Sequence, residues 1–189
     1  GSFTDSRDGR TYKTVKIGNQ VWMAENLNYT GDNGYQRKIT DKDIWSFNSY
    51  YDGWCYYDNS SSNGSRYGVL YQWEAAKKAC PAGWHLPSDA ELHTLESYLT
   101  ATGSCDANRA GAGDLGWGCS PAGTLLKSGG ATGFNALLGG AVTYPPGFDY
   151  MGSGYYFSGT LGGATYSYVR VFSTGETRIY RYLSSTRGA

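Results

Sequence analysis

Charge is scarce in this sequence and balanced where it occurs. Asp, Glu, Lys and Arg make up 17% of 189 residues, with 16 basic against 16 acidic side chains. Without a basic field the chain has nothing to draw nucleic acid or an anionic membrane surface, and neither partner is expected. No run of about 18 apolar residues occurs, so no helical membrane insertion is expected. There are only two histidines, and the four cysteines contain no C-x-x-C, so a zinc site would need ligands from distant segments. The calcium-lectin triplets EPN, QPD and WND are missing as well. No cofactor is expected. Calcium could use only the loose acidic turns "GDNG" (Gly31 to Gly34) and "TDKD" (Thr40 to Asp43). No secretory leader is visible. The initial Gly1-Ser2 reads as an expression scar, leaving residues 3–189 as one expected domain.

What is abundant is glycine and aromatic surface: 28 Gly, 18 Tyr and 6 Trp. That composition suggests short strands joined by many ordered loops, because a disordered chain would lack the aromatics. "TYKTVKI" and "QVWMAENL" flank Gly18-Asn19 and predict an N-terminal β-hairpin over Thr11–Ile17 and Gln20–Leu27. Residues 29–66 read as loop, with a short helical turn near Ile44 to Phe47. Val69–Cys80 has helical periodicity with a Glu74–Lys78 pair, and Pro81 stops it. "SDAELHTLESYL" predicts a second helix opened by a capping box, Ser88 with Glu91. Residues 100–133 return to glycine-rich loop. The last third holds several strands separated by turn signals. The expected fold class is α+β, with a hairpin, two helices on one side, and a C-terminal antiparallel sheet.

The segment "CPAGWHLPSDAEL" (Cys80 to Leu92) concentrates residue types found at catalytic centres. Its mechanical reading is stronger. The prolines are stops, Ser88 and Glu91 cap a helix, and His85 bonds to backbone in the inter-helix connection. Among the cysteines, Cys105 and Cys119 close a loop that has little core of its own. A bridge there contributes about 3 kcal/mol in the chain-entropy model. Cys55–Cys80 follows as the second pair by elimination. Two disulfides would place the protein in an oxidising compartment, outside the cell or on its surface.

The C-terminal strands carry the candidate binding residues. Alternation in "ATYSYVRVF" puts Tyr166, Tyr168, Arg170 and Phe172 on one side and Val169 and Val171 on the other. In "TRIYRYL" it groups Arg178, Tyr180 and Tyr182. With Tyr155 and Tyr156 of the preceding strand, these predict an outward Tyr/Arg face above a core of Val and Ile. Such residue types are enriched at binding hot spots. The plainer reading is cross-strand aromatic pairing that only stabilises the sheet.

"DGRTYKTVKIGNQVWMAENLNY", "YGVLYQWEAAKKACPAGWHLPSDAEL" and the tail "GYYFSGT…YVRVF…IYRYLSSTRG" resemble the Fibrobacter succinogenes major paralogous domain, from Phe3 onward. The resemblance implies a C-type-lectin-like fold related to the formylglycine-generating enzyme. It also implies a setting on secreted or surface bacterial proteins, by lipoprotein anchoring among other means. It further implies a C-terminal face of the kind that diversity-generating retroelements vary. Two departures concern cysteines: the family's final cysteine is missing, and so is one soon after the position of Cys55. Those losses leave Cys55 and Cys80 either for each other or with Cys80 unpaired. No cysteine follows Cys119, so the thiol pair of the enzymatic relatives has no counterpart. The expected function is non-enzymatic recognition of a protein or glycan by a monomeric domain of a larger protein. An enzyme and a structural spacer are the alternatives.

Overall fold

The computed structural model describes residues 1–31, 36–40, 52–100, 105, 115–143 and 147–186. The expected helical turn at Ile44 to Phe47 and most of the two acidic turns lie outside the described residues.

The N-terminus forms a three-stranded antiparallel sheet of β1 (Ser2–Thr4), β2 (Thr11–Ile17) and β3 (Gln20–Met23). Gly18 takes φ 58°, the left-handed conformation this tight turn requires and a side chain resists. The second strand ends four residues earlier than expected. A second small sheet combines β4 (Gln36–Lys38), β5 (Asp52–Cys55) and β6 (Leu70–Tyr71). Between β5 and β6, where loop was expected, lies helix α1 (Ser61–Tyr67). Its Ser/Asn/Gly composition hides it from propensity, but the Ser60 hydroxyl accepts from the Asn63 N–H and supplies the start signal.

Helix α2 (Trp73–Ala79) is shorter than predicted, because Leu70 and Tyr71 pair with β5 instead. Arg7 donates to the Ala79 carbonyl at 2.7 Å and pairs with buried Asp5 at 2.6 Å, placing a cation at the helix C-terminus. Helix α3 (Asp89–Tyr98) starts with the predicted capping box. Ser88 Oγ accepts from the Glu91 N–H, and Glu91 Oε2 accepts from the Ser88 N–H at 2.7 Å. A short α4 (Ala122–Leu126) interrupts the expected glycine-rich loop.

The principal sheet has six strands: β7 (Gly116–Gly118), β8 (Gly139–Thr143), β9 (Gly147–Met151), β10 (Ser153–Leu161), β11 (Tyr166–Ser173) and β12 (Ile179–Ser185). Their order is β7-β12-β11-β10-β8-β9, antiparallel except where β8 meets β10 at Gly140 and Gly154. A Cβ at Gly154 would collide with the Leu137 carbonyl, so the crossing requires glycine there. The fold is α+β, as expected, but helices do not cover only one side. Leu95 of α3 packs with Phe172 and Ile179. Trp73 of α2 packs with Phe157, Val169 and Val171. Val171 and Phe172 are successive strand residues, so these clusters lie on opposite faces.

Candidate functional site

Strand register decides which C-terminal side chains meet. Trp117 stands opposite Tyr180, Tyr180 opposite Val171, and Val171 opposite Tyr155, so all four share one face. On that face the aromatic rings form a ribbon across the sheet. Trp117 lies 5.0 Å from Tyr180, centroid to centroid, and Tyr180 stacks on Tyr182 at 5.7 Å. Tyr182 meets Tyr155 edge-on at 6.4 Å, and Tyr155 meets Tyr150 at 5.7 Å. The ends are the most open parts, with Trp117 at 42% exposure and Tyr150 at 59%. Val169 and Val171 form the buried floor.

The ribbon is nearly neutral. Arg178 lies 5.5 Å over the Trp117 ring, but it already donates two hydrogen bonds to Glu176, at 2.9 and 2.8 Å. Those bonds hold the Glu176 carboxyl down to about 2. Burial pushes the Tyr155 phenol up to about 12 and raises Tyr182 as well. Both hydroxyls therefore remain neutral, and that of Tyr182 shares a hydrogen bond with Ser184.

The opposite face corrects the sequence expectation. Tyr168 and Arg170 point into the core instead of outward, and Tyr156 turns its hydroxyl to the Leu137 carbonyl at 2.8 Å. Arg170 and Arg181 stand directly across from one another on β11 and β12, and both are completely buried. Two like charges so placed repel unless carboxylates separate them. Helix α3 provides these at Asp89 and Glu96, seven residues and therefore two turns apart on one side. Arg170 Nη1 donates to Asp89 Oδ1 at 2.7 Å, and Arg170 Nε donates to Glu96 Oε1. Arg181 holds both Asp89 oxygens, at 3.1 and 2.7 Å. Burial alone would raise the Asp89 pKa, but the two guanidinium groups hold it below the usual carboxylate range. Arg181 also lies 4.1 Å over the Tyr168 ring. These four residues form a charge-neutral clamp between helix and sheet.

Of the eight expected binding residues, Tyr155, Tyr180, Tyr182 and Arg178 therefore come together. Tyr156, Tyr168 and Arg170 belong to the other face, and Tyr166 is exposed at the start of β11, apart from the ribbon. Trp117 and Tyr150 were missed, each in a glycine-rich stretch that reads as loop. A Trp between two glycines in "GWG" was the available signal.

The Cys105–Cys119 bridge is formed as expected. The Cys55–Cys80 bridge is not: both are free. Cys55 is buried against Ile39 and Val142. The Cys80 thiol donates to the Ala76 carbonyl at 3.5 Å. Burial pushes Cys55 up to about 12 and Cys80 up to about 11, which suppresses thiolate formation. His85 does not bond to backbone. It meets the Glu91 carboxylate at 3.0 Å on an exposed surface, without a thiol or hydroxyl nucleophile among its bonded partners. His93, Glu96 and Cys105 bring ligand atoms within 4.8 Å of one another. The Cys105 sulfur is committed to Cys119 and the Glu96 carboxylate to Arg170, so this cluster does not offer a free ligand set.

No helix among the described residues is long and apolar enough to cross a membrane. No curated protein and no solved structure matches the chain. The family model described as the Fibrobacter succinogenes major domain matches residues 15–186, which begin within β2 and take in β3, the α3 clamp and the ribbon, and the chain belongs to that family.

Proposed function

We propose that the protein is a non-enzymatic recognition domain whose binding surface is the aromatic ribbon Trp117–Tyr180–Tyr182–Tyr155–Tyr150. The observation that carries this reading is the unbroken chain of ring contacts over a valine floor. A sheet needs a few aromatic pairs for stability, but not a half-buried row ending in an exposed Trp and an exposed Tyr. The ligand class is a protein or a glycan. The ribbon favours a neutral glycan: sugar rings present flat C–H faces to aromatic rings, the tyrosine hydroxyls match sugar hydroxyls, and Arg178 is already paired. A C-type-lectin-like scaffold on a surface-exposed or secreted bacterial protein suits this role. The Cys105–Cys119 bridge supports an oxidising compartment. The high pKa values of both free thiols disfavour the enzymatic alternative.

The test is a glycan array probed with the native domain and with Trp117→Ala/Tyr180→Ala/Tyr182→Ala. Glycan signals that the triple variant loses support the proposal. Signals it keeps, or an empty array combined with capture of a protein partner, contradict the glycan assignment. Capture that ignores the ribbon variant rejects the ribbon itself. Sibling sequences offer a second check: a variable binding surface changes at ribbon positions while Asp89, Glu96, Arg170 and Arg181 stay fixed.

A further inference from the structure

Two further metal-ligating groups lie against the Cys105–Cys119 bridge. His93 and Glu96 stand three residues apart on α3, neighbours on one side of the helix. His93 Nδ1 is 4.0 Å from the Cys105 sulfur, and Glu96 Oε2 is 3.5 Å from the Cys119 sulfur. The ligand atoms of His93, Glu96 and Cys105 all fall within 4.8 Å of one another. Tetrahedral zinc, with bonds of about 2.0–2.3 Å, needs ligand atoms roughly 3.3–3.8 Å apart. The oxygen–sulfur separation meets that need and the nitrogen–sulfur separation lies just above it, so only the two sulfurs must part. While the bridge is closed they cannot, and the cluster is a ligand set only in the dithiol protein.

We propose that the dithiol form of this site binds one zinc ion through Cys105, Cys119, His93 Nδ1 and Glu96 Oε2. The chain carries both thiols before the bridge forms, and a dithiol reductant regenerates them. The reductant becomes a disulfide, and its two electrons and two protons pass to the two sulfurs. Zinc then displaces both thiol protons as two Zn–S bonds form. Charge favours the exchange: the clamp is already neutral and two thiolates neutralise the ion, so no net charge is buried. Arg170 takes the other Glu96 oxygen, Oε1, and so orients the carboxylate from behind. His93 Nε2 lies 3.4 Å from Ser97 Oγ, a partner that can hold the imidazole proton there and leave Nδ1 its lone pair. Cys119 and Glu96 are buried, while His93 and Cys105 are half-buried and form the side from which an ion enters. No ribbon residue is a ligand, so the site stands apart from the binding reading.

Cobalt(II) is the probe, because thiolate ligands and tetrahedral geometry both colour it. The native domain is titrated with cobalt twice, once bridged and once after a water-soluble phosphine has reduced the bridge and been removed. Cys55 and Cys80 are thiols in both samples, so bands that appear only after reduction belong to Cys105 and Cys119. Thiolate-to-cobalt charge-transfer bands and intense tetrahedral d–d bands should appear in the reduced domain alone, and zinc should bleach both. His93→Gln should weaken cobalt by at least about tenfold, while the bridged variant keeps its unfolding midpoint. Zinc should raise the unfolding midpoint of the reduced domain and not of the bridged one, a readout that holds even where the metal-free reduced domain is partly unfolded. Absence of bands after reduction overturns the proposal, as do equal bands in both samples. So does full cobalt affinity in a folded His93→Gln protein, or a reduced midpoint that zinc leaves unmoved.

Discussion

The two faces of β10–β11–β12 are built from the same residue types, Tyr, Arg and Val, yet they are put to opposite uses. On one, Arg170 and Arg181 are sealed under helix α3 with Asp89 and Glu96. On the other, tyrosines flank buried valines and leave their rings partly open. The difference shows that composition alone does not say which face of a tyrosine-rich strand is the surface. The positions of complementary carboxylates on another element decide it.

Breaking the clamp on one side should have the largest effect. Asp89→Ala leaves two buried guanidinium groups with one carboxylate between them, and should cost about 3–5 kcal/mol in denaturant unfolding. A loss below about 1 kcal/mol would mean that the arginines reach water, and that the two faces differ less than described. Removing the bridge by Cys105→Ser/Cys119→Ser should cost about 3 kcal/mol in the chain-entropy model. Because Cys119 directly follows β7, this change should also loosen the strand that carries Trp117, a link between the faces that tryptophan fluorescence can follow.

The clamp has a pH signature of its own. Asp89 has a depressed pKa when folded, so its contribution is fully present above the ordinary aspartate value of about 3.9 and is lost as pH falls through the folded value. Unfolding free energy should therefore fall steeply in acid below about pH 4, and Asp89→Asn should flatten that limb. An unchanged acid limb in Asp89→Asn assigns the titration elsewhere. Iodoacetamide at pH 8 should modify Cys55 and Cys80 slowly in the folded protein and both rapidly after unfolding, since burial holds the thiols protonated.

Much of the frame was legible in the sequence. Gly18-Asn19 between alternating runs marked the hairpin, and Ser88 with Glu91 marked the start of α3. What escaped were interactions between distant segments. Arg170 and Asp89 are 81 residues apart, and arginine is so seldom fully buried that alternation was read with the wrong face outward. Three of the five ribbon residues, Tyr155, Tyr180 and Tyr182, could be read from "TRIYRYL" and the tyrosine pair at 155 and 156. Trp117 and Tyr150 could not, because short strands in glycine-rich sequence carry too few residues to show a period. The Cys55–Cys80 pairing failed because counting cysteines says nothing about where each thiol packs.

Ribbon truncation should have the smallest effect on stability and the largest on binding. Each ring of Trp117→Ala/Tyr180→Ala/Tyr182→Ala should contribute at most about 1 kcal/mol of cross-strand packing. The most direct measurement is retention of this triple variant, beside the native domain, on the glycan selected from the array, with both unfolding curves recorded. The account predicts a folded variant that no longer binds. A folded variant that binds as well as the native domain would contradict it.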